Sequence, residues 1–249
     1  MSGHSKWHNI KIKKSKVDNI RGQVFTKISK EIHMAVREGG PDPDNNYRLK
    51  MAVQKAKDNN MPGDNIKKTI EKAVGGSATD FEEIIYEGYG PAGVAVMLQA
   101  ATDNRNRTAA EVRRIFTRNG GSLGESGCVS WMFEKKGLIF VPENTIDEET
   151  LLGIALEAGA QDLNEADEGF EVTTEPTSLT EVRKVLDEKK VTYDSVEITW
   201  IPKNTVKVSD DDAGRVLKLV EDLEENDDIQ QVYANFDISK EFMDKMESE

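Results

Sequence analysis

The sequence predicts an α+β protein in which an N-terminal three-helix domain is followed by two small α/β sandwich domains. Apolar residues recur at helical spacing through the first quarter of the chain. Beyond residues 75–81, a predicted linker, short strand patterns alternate with helical ones. The 249 residues suffice for two or three domains of ordinary size, and the apolar fraction of 37% and charged fraction of 32% are typical of a globular protein.

Three short amphipathic helices are predicted before the linker. They cover residues 23–37, residues around 49–56, and a third segment from Pro62 to Val74, with Gly39-Gly40 and Gly75-Gly76 as stop signals. Helices of this length are marginal alone, so they are expected to pack together as a bundle. Residues 1–21, which show little periodicity, are predicted to form an arm that is partly disordered when unbound.

The rest of the chain is predicted to alternate between strands and helices, with the helices packed on one face of each sheet. The predicted helices are 108–118, 148–158, 179–188 and 211–224. The predicted strands are 83–88, 94–100, 129–133, 138–141, 170–174, 196–201 and 229–236. Residues 237–249 are predicted to form a polar, acidic tail, and the pattern does not predict the strand order.

The charge is distributed unevenly along the chain. Residues 1–79 hold 16 Lys and Arg against 8 Asp and Glu, which is +8, while the other 170 residues hold 17 against 38, which is −21. The two parts together give the formal net charge of −13. Within the first thirty residues, eight basic side chains face one acidic side chain. This asymmetry predicts a basic arm for a polyanion, carried on an acidic body that repels nucleic acid and so orients the binding.

The basic side chains of this N-terminal segment are the first candidate nucleic-acid-binding residues, because lysines that neutralise phosphates release condensed counterions. They are Lys6, Lys11, Lys13, Lys14, Lys16, Arg21, Lys27 and Lys30. Trp7 lies among them, and its indole has two open roles: stacking on an unpaired base, or pinning the arm to the bundle. On the first helix, the predicted exposed face of Lys27, Lys30, His33 and Arg37 suits phosphate better than base edges.

A second candidate lies in the segment 102–108, between a predicted strand and a predicted helix. Asn104, Arg105, Asn106 and Arg107 place forked donors beside exposed helix amides, which suits an anion or RNA. The alternative is helix capping, with Asp103 or Thr108 closing the helix N-terminus while the arginines pair with the acidic body. The spacing leaves both interpretations open.

Sequence motifs for catalysis, cofactor binding or metal binding are weak elsewhere in the chain. The sequence therefore argues against an enzyme, and no catalytic, cofactor or metal site is expected. Residues 88–93 match G-x-G-x-x-G, but an apolar strand follows where the dinucleotide fingerprint needs a helix, which favours a hairpin turn. His4 and His8 lack companion ligands, and the single cysteine, Cys128, has no histidine near it in sequence. One cysteine, no secretory signal and no apolar run long enough for a bilayer indicate a cytoplasmic protein without a membrane partner.

Several long segments resemble the YebC/PmpR family, which includes the mitochondrial translational activator of cytochrome c oxidase subunit I. They are Gly3-His-Ser-Lys-Trp7, Arg21-Gly with Phe25-Thr-Lys27, Asn60-Met-Pro62 with Asp64-Asn-Ile66, Tyr86-Glu-Gly-Tyr-Gly-Pro91, Thr102-Asp-Asn-Arg-Asn-Arg-Thr108 and Asp227-Asp-Ile-Gln-Gln-Val-Tyr233. The resemblance runs in one register from residue 3 to about residue 238. Two positions depart from the family pattern: Tyr47 stands where proline is usual, and Ala92 where glycine is usual.

The resemblance implies that one α/β domain is inserted in the other. The domains would be 1–79 for the arm and helices, 80–134 with 203–240 for the middle domain, and 135–202 for the insertion, leaving 241–249 as an acidic tail. It also implies one of two functions. The first is a ribosome-associated translation factor that contacts ribosomal or transfer RNA and relieves stalling on proline-rich stretches. The second is a transcriptional regulator that binds duplex DNA. The sequence indicates no oligomeric state.

Overall fold

Three helices open the described part of the chain, as the periodicity predicts. They are α1 (Asp18–Gly39), α2 (Tyr47–Asp58) and α3 (Gly63–Val74). The structure is a computed structural model, and it describes residues 18–75, 80–166, 169–239 and 241–242, with the side chains described from residue 22 onward. The predicted arm therefore lies outside the described residues except for its last four positions, as do linker residues 76–79 and tail residues 243–249.

Apolar side chains from all three helices meet in one buried cluster, which makes the helices a bundle. Its members are Ile28, Ile32, Ala35, Val36, Leu49, Ala52, Ala56, Met61, Ile66 and Ala73. Asn46 fixes the turn between α1 and α2, since its side chain accepts from the Leu49 amide and donates to the Ala35 and Gly40 carbonyls. The first residue of α2 is Tyr47, so a residue other than proline is accommodated where the helix begins.

The remaining elements alternate between strands and helices. In chain order they are β1 (Glu82–Tyr89), β2 (Ala95–Thr102), α4 (Arg105–Arg118), β3 (Ser122–Leu123), β4 (Phe133–Pro142), α5 (Glu148–Glu157), β5 (Asp162–Ala166), β6 (Gly169–Thr174), α6 (Leu179–Glu188), β7 (Ser195–Pro202), β8 (Val206–Lys207), α7 (Asp210–Glu224), β9 (Ile229–Ala234) and β10 (Phe236–Asp237). The predicted α+β class is confirmed. None of the described helices is both long enough and apolar enough to cross a membrane.

The chain divides into two compact units, and each is described here by itself. The first unit combines residues 11–128 with 211–232, and thus holds α1 to α4, most of α7 and the sheet of order β3-β1-β2-β9. Strands β1 and β2 are antiparallel, with Glu82 opposite Thr102 and Tyr89 opposite Ala95. Phe116 of α4 and Leu219 of α7, both fully or almost fully buried, lie against Gly88 and Gly90 at the end of this hairpin.

The second unit combines residues 1–10, 129–210 and 233–249, and its main sheet has the order β5-β6-β4-β7 with every neighbouring pair antiparallel. Helices α5 and α6 supply Leu151, Ala155, Val182 and Leu186 to its buried core. Strands β8 and β10 form a separate two-stranded parallel sheet. In the chain, the four main strands fall between β3 and β9 of the other sheet, as an inserted domain requires. The exact predicted domain boundaries remain a prediction.

One predicted strand assignment is wrong, and the five-residue strand β5 has no predicted counterpart. Residues 129–133 do not form a strand; Ser130–Met132 make a single 3₁₀ turn, and β4 begins at Phe133 and continues to Pro142. The apolar run Val-Ser-Trp-Met-Phe is therefore a corner rather than a strand. Strand β5 was not predicted, because its sequence Asp-Leu-Asn-Glu-Ala is mostly polar; its position as an edge strand explains why polar residues are tolerated there.

The hairpin interpretation of residues 88–93 is confirmed. Pro91–Gly93 form one 3₁₀ turn between β1 and β2, and the Gly90 amide donates to the Val94 carbonyl at 2.8 Å. Ala92 has φ of +56°, a left-handed conformation that costs a residue with a Cβ roughly 1–2 kcal/mol. The chain thus carries local strain at the position where the family usually has glycine.

Replacing Ala92 by glycine should stabilise the protein. Relief of the left-handed strain exceeds the added entropy of the unfolded chain, for a net gain of roughly 0.5 kcal/mol in the free energy of unfolding. Urea denaturation would measure it, with Ala110→Gly on the exposed side of α4 as the control, where the same change should destabilise by roughly 1 kcal/mol. Loss of stability in Ala92→Gly would contradict the strain argument.

Candidate nucleic-acid interface

One face of α1 contacts the connection between α7 and β9 instead of solvent. Gln23 donates to the Glu225 carbonyl at 3.3 Å, and Lys27 Nζ donates to the Glu224 carbonyl at 2.6 Å. Lys30 Nζ donates to the Asp227 carbonyl at 2.9 Å and to the Ala101 carbonyl at 3.2 Å. Residues 23, 27 and 30 share a helical stripe, so the stripe provides donors for the carbonyls at and beyond the end of α7.

The predicted phosphate-binding roles of Lys27 and Lys30 therefore need correction. Lys30 is only 8% exposed, its ammonium lies 2.6 Å from a carboxylate oxygen of Asp228, and it also faces the Phe81 ring at 5.4 Å. Lys27 is half-buried and bonded to the end of α7. Sequence periodicity identified this stripe correctly as a separate face of α1. It did not reveal that the face is covered by the chain's own acidic C-terminal half.

His33, on the same predicted face, is also buried. Its ring lies edge-on to Phe81 with centroids 5.7 Å apart, and its Nε2 has no hydrogen-bond partner among the described residues. Burial, together with the nearby Arg37 charge, lowers the pKa of His33 below its usual value. Arg37 is exposed and pairs with Asp80. His33 is therefore a packing residue, and of the predicted basic face of Lys27, Lys30, His33 and Arg37 only Arg37 is exposed.

Asp228 collects most of the polar contacts in this region. Its carboxylate accepts from Lys30 at 2.6 Å, Arg107 at 2.8 Å, Thr108 at 2.6 Å and Thr102 at 3.2 Å. We call these five residues the Asp228 cluster. Burial would raise the pKa of Asp228, but the hydrogen bonds from Arg107, Lys30 and Thr108 outweigh it and lower the pKa to about 2. The cluster joins α1, β2 and α4 through one ionised side chain.

The segment 102–108 is divided between capping, ion pairing and exposure. Asn104 is the N-cap of α4, and its side chain accepts from the Arg107 amide at 3.1 Å. Arg107 pairs with Asp103 and Asp228, both at 2.8 Å. The capping alternative therefore holds for Asn104, which caps the helix, and for Arg107, which pairs with carboxylates. The capping residue is neither of the two that the sequence suggested, Asp103 and Thr108. Arg105 and Asn106 are exposed and stay candidates for an anion contact.

Exposed lysines of the bundle lie on α2 and α3, where the sequence pattern predicted no binding residues. They are Lys50, Lys57, Lys67, Lys68 and Lys72. Each lies away from the buried positions of its own helix, which include Leu49 and Ala56 on α2 and Ile66 and Ala73 on α3. The helical spacing of those apolar residues was the signal that could have identified them. Of the cations of α2, Arg48 and Lys55 are paired with carboxylates.

The other predicted site residues precede the described part. Lys6, Trp7, Lys11, Lys13, Lys14 and Lys16 lie outside the described residues, and Arg21 is a backbone position of α1 whose side chain is not described. Their predicted roles in binding nucleic acid therefore stay predictions. Among residues 18–75, 80–166, 169–239 and 241–242, no group of three or more His, Cys, Asp or Glu could hold a metal ion. Cys128 is half-buried in a loop, not in a strand, and burial raises its thiol pKa.

Two family models match the chain. The model of the TACO1/YebC protein N-terminal domain matches residues 5–76, and that of the TACO1/YebC second and third domain matches residues 81–236. The chain belongs to the TACO1/YebC family. The resemblance noted in the sequence is thereby confirmed. The α4 arginines and four of the five residues of the Asp228 cluster lie within the second match, and Lys30 lies within the first.

Relatives and a solved structure resemble this TACO1/YebC protein over nearly its whole length. A protein of Natranaerobius thermophilus is 54% identical, covering 98% of this chain and 99% of its own. One of Pelotomaculum thermopropionicum is 54% identical over 96% and 99%. Both are named probable transcriptional regulatory proteins. A conserved hypothetical protein of Aquifex aeolicus has a solved structure with a TM-score of 0.82 and 49% identity, covering 91% of this chain and 94% of that one.

Asp228→Ala should destabilise the protein strongly, whereas Asp227→Ala should not. Removing the Asp228 carboxylate leaves the buried Lys30 ammonium without its charged partner, which costs about 3–5 kcal/mol. The Asp227 side chain is exposed, so its loss should change the free energy of unfolding by less than about 0.5 kcal/mol. Chemical denaturation of the two variants measures both values. Equal stability of the two variants would show that the Asp228 cluster contributes little.

The same cluster predicts an acid transition. Because the pKa of Asp228 is lowered in the folded protein to about 2, its contribution is fully present above the unfolded pKa near 4 and is lost as the pH falls through 2. The shift corresponds to roughly 2 kcal/mol. Between pH 5 and pH 2, the free energy of unfolding should fall by this much more in the parent protein than in Asp228→Asn. Denaturation curves measured across that pH range would show the difference. Identical pH profiles would contradict the assignment.

Proposed function

We propose that this YebC-family protein is a cytoplasmic, non-enzymatic regulatory factor that binds RNA on the ribosome through phosphate contacts. The observation that supports it is the set of exposed lysines on α2 and α3, which directly follow the lysine-rich residues 1–30 in the chain. Lys50, Lys57, Lys67, Lys68 and Lys72 are exposed on these two helices. Beyond residue 79, acidic residues outnumber basic ones 38 to 17, so the C-terminal part repels the same ligand.

The types of exposed side chain favour RNA over a specific promoter. Reading base edges in a major groove takes Arg, Asn or Gln presented by a recognition helix. The exposed side of α3 presents Lys67, Lys68 and Lys72, with Asn65 as its exposed amide. Lysines contact phosphates and position a ligand without reading its sequence. A factor recruited to one place on a large RNA by shape and charge needs no base-specific contacts.

Duplex DNA is the second candidate, and two observations favour it. The relatives from Natranaerobius thermophilus and Pelotomaculum thermopropionicum are both named probable transcriptional regulatory proteins. In addition, α2 and α3 are separated by only four residues, 59–62, a connection length typical of helix-turn-helix modules. On this hypothesis α3 would enter the major groove and Asn65 would be its base-reading side chain.

The proposed mechanism is positioning rather than bond chemistry. Lysines of the bundle neutralise phosphates and hold the protein on the RNA, while the part of the predicted 1–21 arm that precedes α1 reaches a neighbouring RNA segment. Loss of the protein should then change how ribosomes pass difficult stretches, of which proline-rich ones are the expected case. Because phosphate contacts release counterions, both binding and this effect should weaken as salt rises.

Lys67→Gln, Lys68→Gln and Lys72→Gln combined should weaken sedimentation of the protein with purified ribosomes. Each lost contact to single-stranded phosphate lowers the salt slope of the binding constant by roughly 0.7. The combined change Lys11→Ala, Lys13→Ala, Lys14→Ala and Lys16→Ala should have a similar effect if the arm also binds. Since the α3 lysines are exposed, thermal stability should stay unchanged.

Lys184→Gln with Lys189→Gln, two exposed lysines at α6, is the control for loss of positive charge outside the bundle. It should leave ribosome binding intact. If the parent protein does not sediment with ribosomes but retards promoter fragments in a gel at the same salt concentration, the DNA candidate replaces the RNA proposal. Binding to neither would overturn both. Ribosome profiling of cells lacking the protein separates them in vivo, because only the RNA proposal predicts pauses at particular codons.

A further inference from the structure

Helix α4 carries an unusual share of arginine for the acidic part of the chain. Its 14 residues, Arg-Asn-Arg-Thr-Ala-Ala-Glu-Val-Arg-Arg-Ile-Phe-Thr-Arg, hold five arginines and one glutamate. In residues 80–249 as a whole, acidic side chains outnumber basic ones more than twofold. The helix is therefore a local reversal of charge, and its arginines fall into two groups with different surroundings.

The first group anchors the helix to the protein. Arg107 in the first turn pairs with Asp228, and Arg118 at the last position pairs with the buried Asp222 at 2.5 Å. Asp222 also accepts from Asn119, which is the C-cap of α4. Both ends of the helix are thus fixed by buried carboxylates, and the middle is fixed by apolar packing of Val112, Ile115 and Phe116.

The second group, Arg105, Arg113 and Arg114, is exposed. Within residues 18–75, 80–166 and 169–239, these three form no ion pair with a carboxylate, whereas Arg107 and Arg118 of the same helix do. An arginine that only balances charge should find a carboxylate easily in so acidic a chain. Arg105, Arg113 and Arg114 pair with no carboxylate of the described residues, and an anionic partner outside those residues explains this better.

The exposed side of α4 also has a shape that suits a phosphate chain. Positions 106, 110, 113 and 117 follow one helical stripe, and all four are exposed. Ala109 and Ala110 lie between Arg105 and the Arg113-Arg114 pair, so no bulky side chain stands between the two cationic ends. A rise of 1.5 Å per residue separates those ends by about 12–14 Å along the helix axis. Asn106 adds an amide beside Arg105.

We infer that the exposed side of α4, formed by Arg105, Asn106, Arg113 and Arg114, is a second RNA-binding surface that grips phosphates through guanidinium groups. The inference rests on the proposed function and adds a site separate from the lysines of α2 and α3. Guanidinium presents a planar fork that matches phosphate oxygens, which an ammonium group does not. A short cationic strip within the acidic part of the sequence beyond residue 79 fits a folded RNA loop, whereas a long straight duplex would bring its flanking phosphates toward carboxylates.

The test is Arg113→Gln with Arg114→Gln, measured against a labelled RNA hairpin with a single-stranded loop and against a DNA duplex of matching sequence. Loss of two phosphate contacts should lower the salt slope for the hairpin by roughly 1.4 and weaken binding at low salt about tenfold. Arg113→Lys with Arg114→Lys keeps the charge but not the fork, so it should fall between the parent and the glutamine variant. The thermal midpoint should be unchanged in both.

The controls separate this inference from the proposed function. Lys184→Gln with Lys189→Gln removes the same charge elsewhere and should bind like the parent. If the α3 lysine variant loses hairpin affinity while the α4 glutamine variant keeps both its affinity and its salt slope, the α4 surface is overturned and the proposed function stands. A parent protein that binds no hairpin and no ribosome overturns both. If the α4 glutamine variant loses affinity for the DNA duplex but not for the RNA hairpin, the assignment to RNA is overturned.

Discussion

The buried carboxylate of Asp228 is the interaction on which the first unit depends. It brings together a lysine from the helical bundle, a threonine from the end of β2, and an arginine and a threonine from the first turn of α4. Four donors keep it ionised although burial disfavours the charge, which is why its pKa lies near 2. A buried ion pair contributes little net stability when intact but is costly to break, so its main effect is to specify how α1 lies against the β-sheet part of the unit.

This constraint divides the cations of the protein into those used internally and those available to a ligand. The cations used internally are Lys27, Lys30 and Arg107, which donate to the protein's own carbonyls and carboxylates and so contribute to the fold. The lysines on the far sides of α2 and α3 and the outer arginines of α4 face solvent. A nucleic-acid ligand would therefore meet the bundle on α2 and α3 rather than on α1. The orientation of α1, set by Asp228, decides which basic residues remain free.

Two of the segments that carry the family resemblance meet at the same carboxylate. Residues 102–108 supply Thr102, Arg107 and Thr108, and residues 227–233 supply Asp228. In sequence, the first segment looks like a row of nucleic-acid contacts because it is rich in asparagine and arginine. In the fold, most of its polar side chains cap α4 or reach the buried aspartate. The recognisable motifs of this TACO1/YebC protein are therefore partly structural, and the exposed basic residues around them are the candidates for the proposed binding.

Local periodicity and turn chemistry were enough to predict the α+β class, the three-helix bundle, the hairpin at 88–93 and nearly every helix. Composition also showed the opposite charges of the two ends of the chain. Which basic residues are exposed depends on long-range contacts of the folded chain. Lys30 and Lys67 both lie on amphipathic helices and differ little in sequence context, yet one is buried against Asp228 and the other faces solvent. The physical reason is that Lys30 and Asp228 are 198 residues apart in the chain. Helical periodicity reports which side of a helix is apolar, but a polar stripe that contacts a distant carboxylate has the same local pattern as one that contacts water.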